Sequence, residues 1–381
     1  MKKNKKTIAF FNGFYIPHLG GVERYTNKLS ERLKENYNII VVTTNDSNTK
    51  NYEVLDGIKV YRLPVHNLCK NRYPFLKKNK EYKELLEKIL KEKIDFIICN
   101  TRYYQTSILG AKISKKKNAK LIFLDHSSNH VTIGNKILDK LGAIYEDHLT
   151  RKIKKYNPKF YGVSKKCNEW LKYYKIEAQG VFYNSIDDAV YKQYYKKRKE
   201  NKKLKISYIG RIIPEKGVIN LLDAFEEINK KHKNIELTIA GDGPILSELK
   251  EKYKNKNINF LGKLGYEEVM KLCVETDIFV HPSMYPEGLP TSILEAGIMK
   301  TAIIATDRGG TCEVINNSKY GLIVKENKDD LIEKLNYLIE NPNKIDELKE
   351  NIHERIINNF TWKQTAKTVE KELEKYGKKD N

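Results

Sequence analysis

A chain of 381 residues is too long for one compact core, and two domains of ordinary size are the natural expectation. Forty per cent hydrophobic residues exclude a disordered chain, and no stretch approaches the roughly twenty apolar residues that span a bilayer. Lysine and arginine outnumber aspartate and glutamate, 71 to 49, and the resulting net charge of +22 attracts polyanions: nucleic acid, anionic lipid head groups or phosphorylated substrates.

The N-terminus, MKKNKKTIAFF, has a basic start followed by apolar residues, but the apolar run stops at Asn12 and Gly13. That is too short for the apolar region of a signal peptide and reads as a first strand over 7–11. Short apolar runs then alternate with longer amphipathic ones, the pattern of parallel α/β architecture. Strands are expected at 39–43, 96–99, 121–124 and 160–163, with helical patterns such as 22–33 and 81–91 between them. A basic, polar stretch at 196–205 precedes a second series, with strands at 206–209, 236–240, 258–261, 278–281, 302–305 and 321–324. A helical pattern over 362–376 follows with no strand after it and is expected to pack back across the domain junction. The expected organisation is two doubly wound, Rossmann-like domains, 1–187 and 188–357, with 358–381 returning to the first. Five scattered cysteines (Cys69, Cys99, Cys167, Cys273, Cys312) form no C-x-x-C pair, which argues against a disulfide framework or structural zinc and fits a reducing compartment.

In open α/β sheets, ligands bind beyond the carboxyl ends of strands, and two such domains facing each other make a cleft. Four places there carry chemistry. Gly20 and Gly21 precede an amphipathic helix, where backbone can approach an anion, although an ordinary turn uses glycines equally well. His126 directly follows a strand, is expected to point into the cleft, and suits a sugar hydroxyl or phosphate oxygen as well as it suits a solvent-facing loop; the roles of neighbouring Asp125 and His130 are not separable by pattern. Arg211 and Lys216, in YIGRIIPEKGV, flank a short loop after a strand, and a guanidinium with an ammonium suits a diphosphate. In the segment 277–310, Glu287 lies in a loop and Glu295 on the helix that follows, with Pro290 expected in its first turn. The amides around 288–291 suit a phosphate, and the two carboxylates suit vicinal hydroxyls.

This last segment, EGLPTSILEA followed by IIATDRGG, resembles the E-x7-E signature of the retaining glycosyltransferase family 4. The motifs GGVER, VSKK (163–166), YNSID (183–187), IGRIIPEKG, AGDGP (240–244) and FLG (260–262) fall in that family's order, so the resemblance covers nearly the whole chain. It implies a GT-B fold, with the acceptor bound mainly by the first domain and a nucleotide-diphosphate sugar by the second. Carried over, Glu295 would hold the ribose and Glu287 the hydroxyls of the transferred sugar. Arg211 and Lys216 would bind the diphosphate, with amide contacts from Gly288 and Leu289. Gly20 and Gly21 would form the loop that closes over the β-phosphate. His126 would touch the donor sugar, and Gly262, Lys263 and Leu264 would lie beside the base. His126, Arg211, Lys216 and Glu287 are the expected catalytic set. Departures are Lys300, Ser127 and Ser185, where family members often carry glycine; none is an inferred donor contact.

The resemblance also implies front-face, retaining transfer without a metal or other cofactor; no D-x-D motif occurs. Uridine is the expected base, guanosine the second, and the acceptor a glycan or lipid-linked glycan of the cell envelope. Rival readings are another GT-B enzyme, such as a nucleotide-sugar epimerase or phosphorylase, and a nucleic-acid-binding protein. The latter is disfavoured because the basic runs are dispersed and no reader motif occurs. A cytoplasmic location is expected. The stretch 70–80, which mixes cations with Tyr73, Pro74 and Phe75, reads either as contact with an anionic membrane surface or as a solvated loop.

Overall fold

The computed structural model describes residues 5–18, 20–47, 49–68, 73–132, 135–196 and 203–378. The chain divides into two compact units, Met1–Asn184 with Trp362–Asn381, and Ser185–Thr361.

The first unit runs β1 (Thr7–Phe11), α1 (Gly21–Leu33), β2 (Asn38–Thr44), β3 (Tyr52–Leu55), β4 (Ile58–Leu63), β5 (Val65–Leu68), β6 (Tyr73–Leu76), α2 (Lys80–Lys91). It continues with β7 (Phe96–Asn100), α3 (Gln105–Lys117), β8 (Lys120–Asp125), α4 (Lys136–Lys154), β9 (Lys159–Gly162), α5 (Lys165–Leu171) and β10 (Gly180–Val181). One sheet has the order β10-β9-β8-β7-β1-β2-β4-β3, parallel except for β3 against β4. β1 and β7 are buried at every position, so they read as continuous apolar runs rather than alternating ones, as expected for a sheet covered on both faces. In α1, Tyr25, Leu29 and Leu33 recur every four residues and pack on that sheet.

Residues 52–76, where no strand was expected, form the sheet edge β3–β4 and a separate antiparallel ribbon, β5–β6. Charge hides β4 in the sequence. Arg62 is buried there because its guanidinium reaches Glu53 at 2.5 Å and the Ile16 carbonyl at 2.8 Å. β6 likewise occupies part of the basic stretch read as a membrane contact or loop; residues 70–72 of that stretch lie outside the described residues, as do 197–202 of the inter-series segment.

The second unit contains α6 (Ala189–Tyr194), β11 (Leu204–Ile209), α7 (Val218–Lys231), β12 (Ile235–Ala240), α8 (Leu246–Lys252), β13 (Ile258–Gly262), α9 (Tyr266–Glu275) and β14 (Ile278–His281). α10 (Thr291–Ile298), β15 (Ala302–Thr306), α11 (Thr311–Val314), β16 (Leu322–Val324), α12 (Lys328–Glu340) and α13 (Pro342–Asn359) complete it. Its sheet is all parallel, in the order β13-β12-β11-β14-β15-β16. Pro290 caps α10 rather than lying in its first turn, and Gly321, at φ 155°, precedes β16 rather than joining it.

The last helix, α14 (Trp362–Lys378), belongs to the first unit. Trp362, Ala366, Val369 and Leu373 enter that unit's core, and the Trp362 ring meets Tyr25 edge-on at 5.1 Å. Asn36 donates to Glu370 at 2.8 Å, and Tyr161 to Glu372 at 3.0 Å. Each sheet reverses its winding once, between β1 and β7 and between β11 and β14, and it is at such switch points that loops diverge and leave a crevice.

Candidate functional site

At the switch point of the second unit, the loop after β11 carries Arg211 and a 3-10 turn, Pro214–Lys216. The turn closes on Gly217 at φ 71°, where a Cβ would sit 2.0 Å from the Pro282 carbonyl oxygen in the loop after β14. Met284 N–H donates to the Glu215 carbonyl at 2.8 Å, so the two loops are joined backbone to backbone. That closeness aligns their side chains. The Arg211 guanidinium lies 5.1 Å from the Tyr285 ring centre and the Lys216 ammonium 5.0 Å from it, within range of the ring's attraction for cations.

Lys216 also pairs with Glu287, and Ser283 Oγ donates to the same carboxylate oxygen at 3.0 Å. Burial alone would raise the Glu287 pKa. His281, with Nε2 3.7 Å away, and Lys216 overcome that effect and hold the carboxyl down at about 2. Glu287 is therefore an ionised, acceptor-only group. The glycines of TDRGG fix its backbone: Gly310 N–H donates to the Gly288 carbonyl at 2.6 Å, and Gly309 at φ 57° leaves no room for a Cβ against the carbonyls of Glu287 and Gly288. Leu289 is buried and anchors the loop.

Arg211, Lys216 and Glu287 thus come together around Tyr285. Glu295 follows one to two turns into the next helix. It is buried on α10, and its charge adds to burial in pushing up the Cys273 thiol on α9. α9 is the helix that follows Gly262, Lys263 and Leu264; Gly262 ends β13 at φ 71°, Lys263 is exposed and Leu264 half-buried.

In the first unit, the switch point gathers Asn12 after β1, Asn100 at the end of β7, and Thr26 of α1. Asn12 donates to Thr26 Oγ1 at 2.8 Å, and Asn100 Nδ2 reaches Asn12 Oδ1 at 2.9 Å and Thr26 Oγ1 at 3.0 Å. With its amide nitrogen engaged as donor, Asn100 presents Oδ1 to His126 Nε2 at 2.9 Å. Nε2 must then carry the proton, leaving Nδ1 as an acceptor. The ring also packs edge-on against Tyr25, and burial lowers its pKa to about 3. His126 is drawn into this network rather than standing free, and it is neutral.

Gly20 caps α1, and its Cβ would collide with Glu23, whereas Gly21 faces open space. Asp125 and His130, inseparable by pattern, divide clearly. Asp125 pairs with the buried Arg102 at 2.7 Å, and His130 Nδ1 lies 3.0 Å from the buried Glu146. Among the described residues, no group of three or more His, Cys, Asp or Glu side chains is arranged to hold a metal ion.

Residues 19–190 match the family model Glycosyltransferase Family 4, and 192–355 match Glycosyl transferases group 1. An uncharacterized glycosyltransferase of Methanocaldococcus jannaschii is 30% identical over 394 residues, covering 98% of this chain and 99% of the relative. The chain belongs to the family 4 glycosyltransferases. This glycosyltransferase is also similar to the phosphatidylinositol N-acetylglucosaminyltransferase GPI3 subunit of Saccharomyces cerevisiae, at 24% identity over 95% of this chain and 82% of that one. Its fold is that of the Anabaena protein HepE, crystallised with UDP, at a TM-score of 0.72 and 16% identity over 97% of this chain and all of the other. The GT-B architecture is thereby shown.

Tyr285, His281 and Ser283 around Glu287, and Asn12, Asn100 and Thr26 around His126, are site residues outside the set expected from the sequence. A signal exists for the first group, since an aromatic between Pro282 and Pro286 beside a glutamate is unusual for a solvated loop. The second group is three single residues from distant segments, and only the sheet order brings them together.

Proposed function

We propose that this glycosyltransferase moves a sugar, with retention, from a nucleotide-diphosphate sugar to a glycan or lipid-linked acceptor, in cytoplasmic synthesis of envelope polysaccharide or glycoconjugate. The observation that carries the reading is the pair of cations, Arg211 and Lys216, set on one aromatic ring beside an ionised glutamate at a sheet switch point. HepE, of the same fold, was crystallised with UDP and with UDP-glucose, which supports uridine ahead of guanosine as the donor base. The yeast relative is named for phosphatidylinositol, which supports an acceptor carried on lipid.

In this reading the acceptor oxygen attacks the anomeric carbon on the face from which the diphosphate departs. The bond from that carbon to the β-phosphate oxygen breaks, and the acceptor proton passes to the departing phosphate. Charge grows on the diphosphate as the bond breaks, and Arg211 and Lys216 stabilise it where it develops. These cations take the part a divalent ion plays elsewhere, so no metal and no other cofactor is invoked. Glu287 accepts hydrogen bonds from hydroxyls of the transferred sugar. Glu295 accepts from the ribose, with Gly262, Lys263 and Leu264 beside the base. Gly20, Gly21 and the amides of Gly288 and Leu289 serve the phosphates, and neutral His126 offers Nδ1 to a sugar hydroxyl.

Replacing Arg211 or Lys216 with Ala should lower turnover by about 10²–10³-fold, the scale of losing one preorganised charge-stabilising group, while the circular dichroism spectrum is retained. Turnover unchanged in both variants would remove the phosphate role. Glu295→Ala should weaken donor affinity by about tenfold, the worth of one charge-assisted hydrogen bond, as read by calorimetric titration.

A further inference from the structure

Of the ten large apolar side chains exposed among the described residues, four stand on the first half of α4: Ile137 (74% exposed), Leu138 (44%), Leu141 (57%) and Ile144 (58%). At about 100° per residue, Ile137, Leu141 and Ile144 share one stripe, and Leu138 borders it. Towards the C-terminus the same stripe turns basic, through Arg151, Lys152 and Lys155. Of the helix's three carboxylates, Asp139 and Glu146 fall on the opposite face by the same spacing, and Glu146 is fully buried beside Arg102 and His130; Asp147, at the flank of the stripe, lies 3.8 Å from His130 Nε2. α4 is therefore amphipathic twice over, with one buried face and one outward face that is apolar and then cationic.

The surroundings extend the pattern. A surface cavity of 770 Å³ is lined by Lys112, Lys115, Lys120, Lys152 and Lys155 together with Tyr156 and other groups. A second, of 550 Å³, shares Lys112, Lys152 and Ile108 with it and adds Lys78, Lys116 and leucines of α2 and α3. No carboxylate is among the described residues lining either cavity. Lys112, Lys115, Lys152 and Lys155 form no ion pair among the described residues. Phe75 of β6 meets Tyr145 of α4 at 5.8 Å, which sets the basic segment with Lys77 and Lys78 against the same helix.

We propose that this face of the first unit, centred on α4, docks on an anionic lipid surface. Ile137, Leu138, Leu141 and Ile144 enter among the head groups, and the lysines of the adjoining groove meet lipid phosphates. Binding at a bilayer interface grows with the apolar area a helix buries among the head groups and with the attraction of nearby cations to anionic lipid, and this face of α4 offers both. Each cation near an anionic leaflet raises partition about fivefold. No helix among the described residues is long and apolar enough to cross a membrane, so attachment of this kind is peripheral. Nucleic acid would use the cations but leave the apolar stripe in water. The inference deepens the lipid-linked acceptor reading, on which its biological meaning rests, and moves the membrane contact from the 70–80 stretch alone to α4.

The test is co-sedimentation of the full chain with vesicles of phosphatidylcholine alone and of phosphatidylcholine with phosphatidylglycerol, at low and high salt. Hydrolysis of UDP-glucose in solution is measured beside it, so that failure of the transferase reading is seen separately. Wild type should bind the anionic vesicles and be released by salt. The triple variant Ile137→Ser, Leu141→Ser, Ile144→Ser should lose at least tenfold in vesicle affinity, and Lys112→Glu with Lys152→Glu should abolish binding. Both variants should keep the wild-type dichroism spectrum and solution hydrolysis. The proposal is overturned if wild type ignores anionic vesicles, or if the triple variant binds them as wild type does. It is equally overturned if duplex DNA is bound more tightly than the vesicles.

Discussion

At Glu287 one carboxylate is surrounded by Lys216, Ser283 and His281, and its pKa of about 2 lies below that of a free glutamate. The stabilisation this pairing gives is whole above about pH 4.3 and is lost as pH falls toward 2, because only the folded state resists protonation there. Its upper value is about 3 kcal/mol. Glu287→Gln leaves the Lys216 ammonium, itself largely buried, without an anion and should cost on the order of 1–3 kcal/mol at pH 7. Urea denaturation of both proteins should show that gap, and the gap should close between pH 4.5 and 2. An equal gap at every pH would mean that shape, not charge, is what Gln loses. Part of this site is legible in sequence: a glutamate in a Pro- and Gly-rich loop after a strand, and two cations around a turn, mark themselves. The charge state of Glu287 is not, because it depends on Lys216, seventy-one positions earlier. The same holds for His126, whose tautomer is set by Asn100.

The elements holding these residues have definite weak points. Gly217 combines a left-handed backbone with a Cβ position 2.0 Å from the Pro282 carbonyl, so Gly217→Ala must push the two loops apart. A loss of about 2–4 kcal/mol is expected, seen as a lowered thermal midpoint, together with lost turnover since Arg211 and Lys216 move with the loop. Trp362 opens α14 and is 3% exposed against Tyr25 and the sheet. Trp362→Ala should cost about 3–5 kcal/mol, measured by the same denaturation. The parallel strands buried on both faces were legible as apolar runs. The strands toward the sheet edges were not. β3 is partly exposed, β4 contains an arginine made tolerable by Glu53 and the Ile16 carbonyl, and β10 is two residues long. Each owes its strand state to a neighbour rather than to its own pattern.

For the whole molecule, two successive α/β series in the sequence correspond to two sheets, each with a core of its own, and a periodic final helix corresponds to α14. Which core that helix enters is decided by side chains on α1 and β9 that no local pattern announces. The second unit is one uninterrupted segment, so a fragment of residues 185–361 should fold alone, with native-like dichroism and a cooperative thermal transition. A chain ending at 361 should instead leave the first unit without Trp362, Val369 and Leu373 and prone to aggregate. This arrangement has a consequence for biosynthesis. As the nascent polypeptide leaves the ribosome, the first sheet emerges early but must wait for its final helix while ~180 intervening residues are translated, roughly 10–35 s at ordinary elongation rates. During that interval an apolar groove on α1 stays open to chaperones, and the segment made last completes the domain made first.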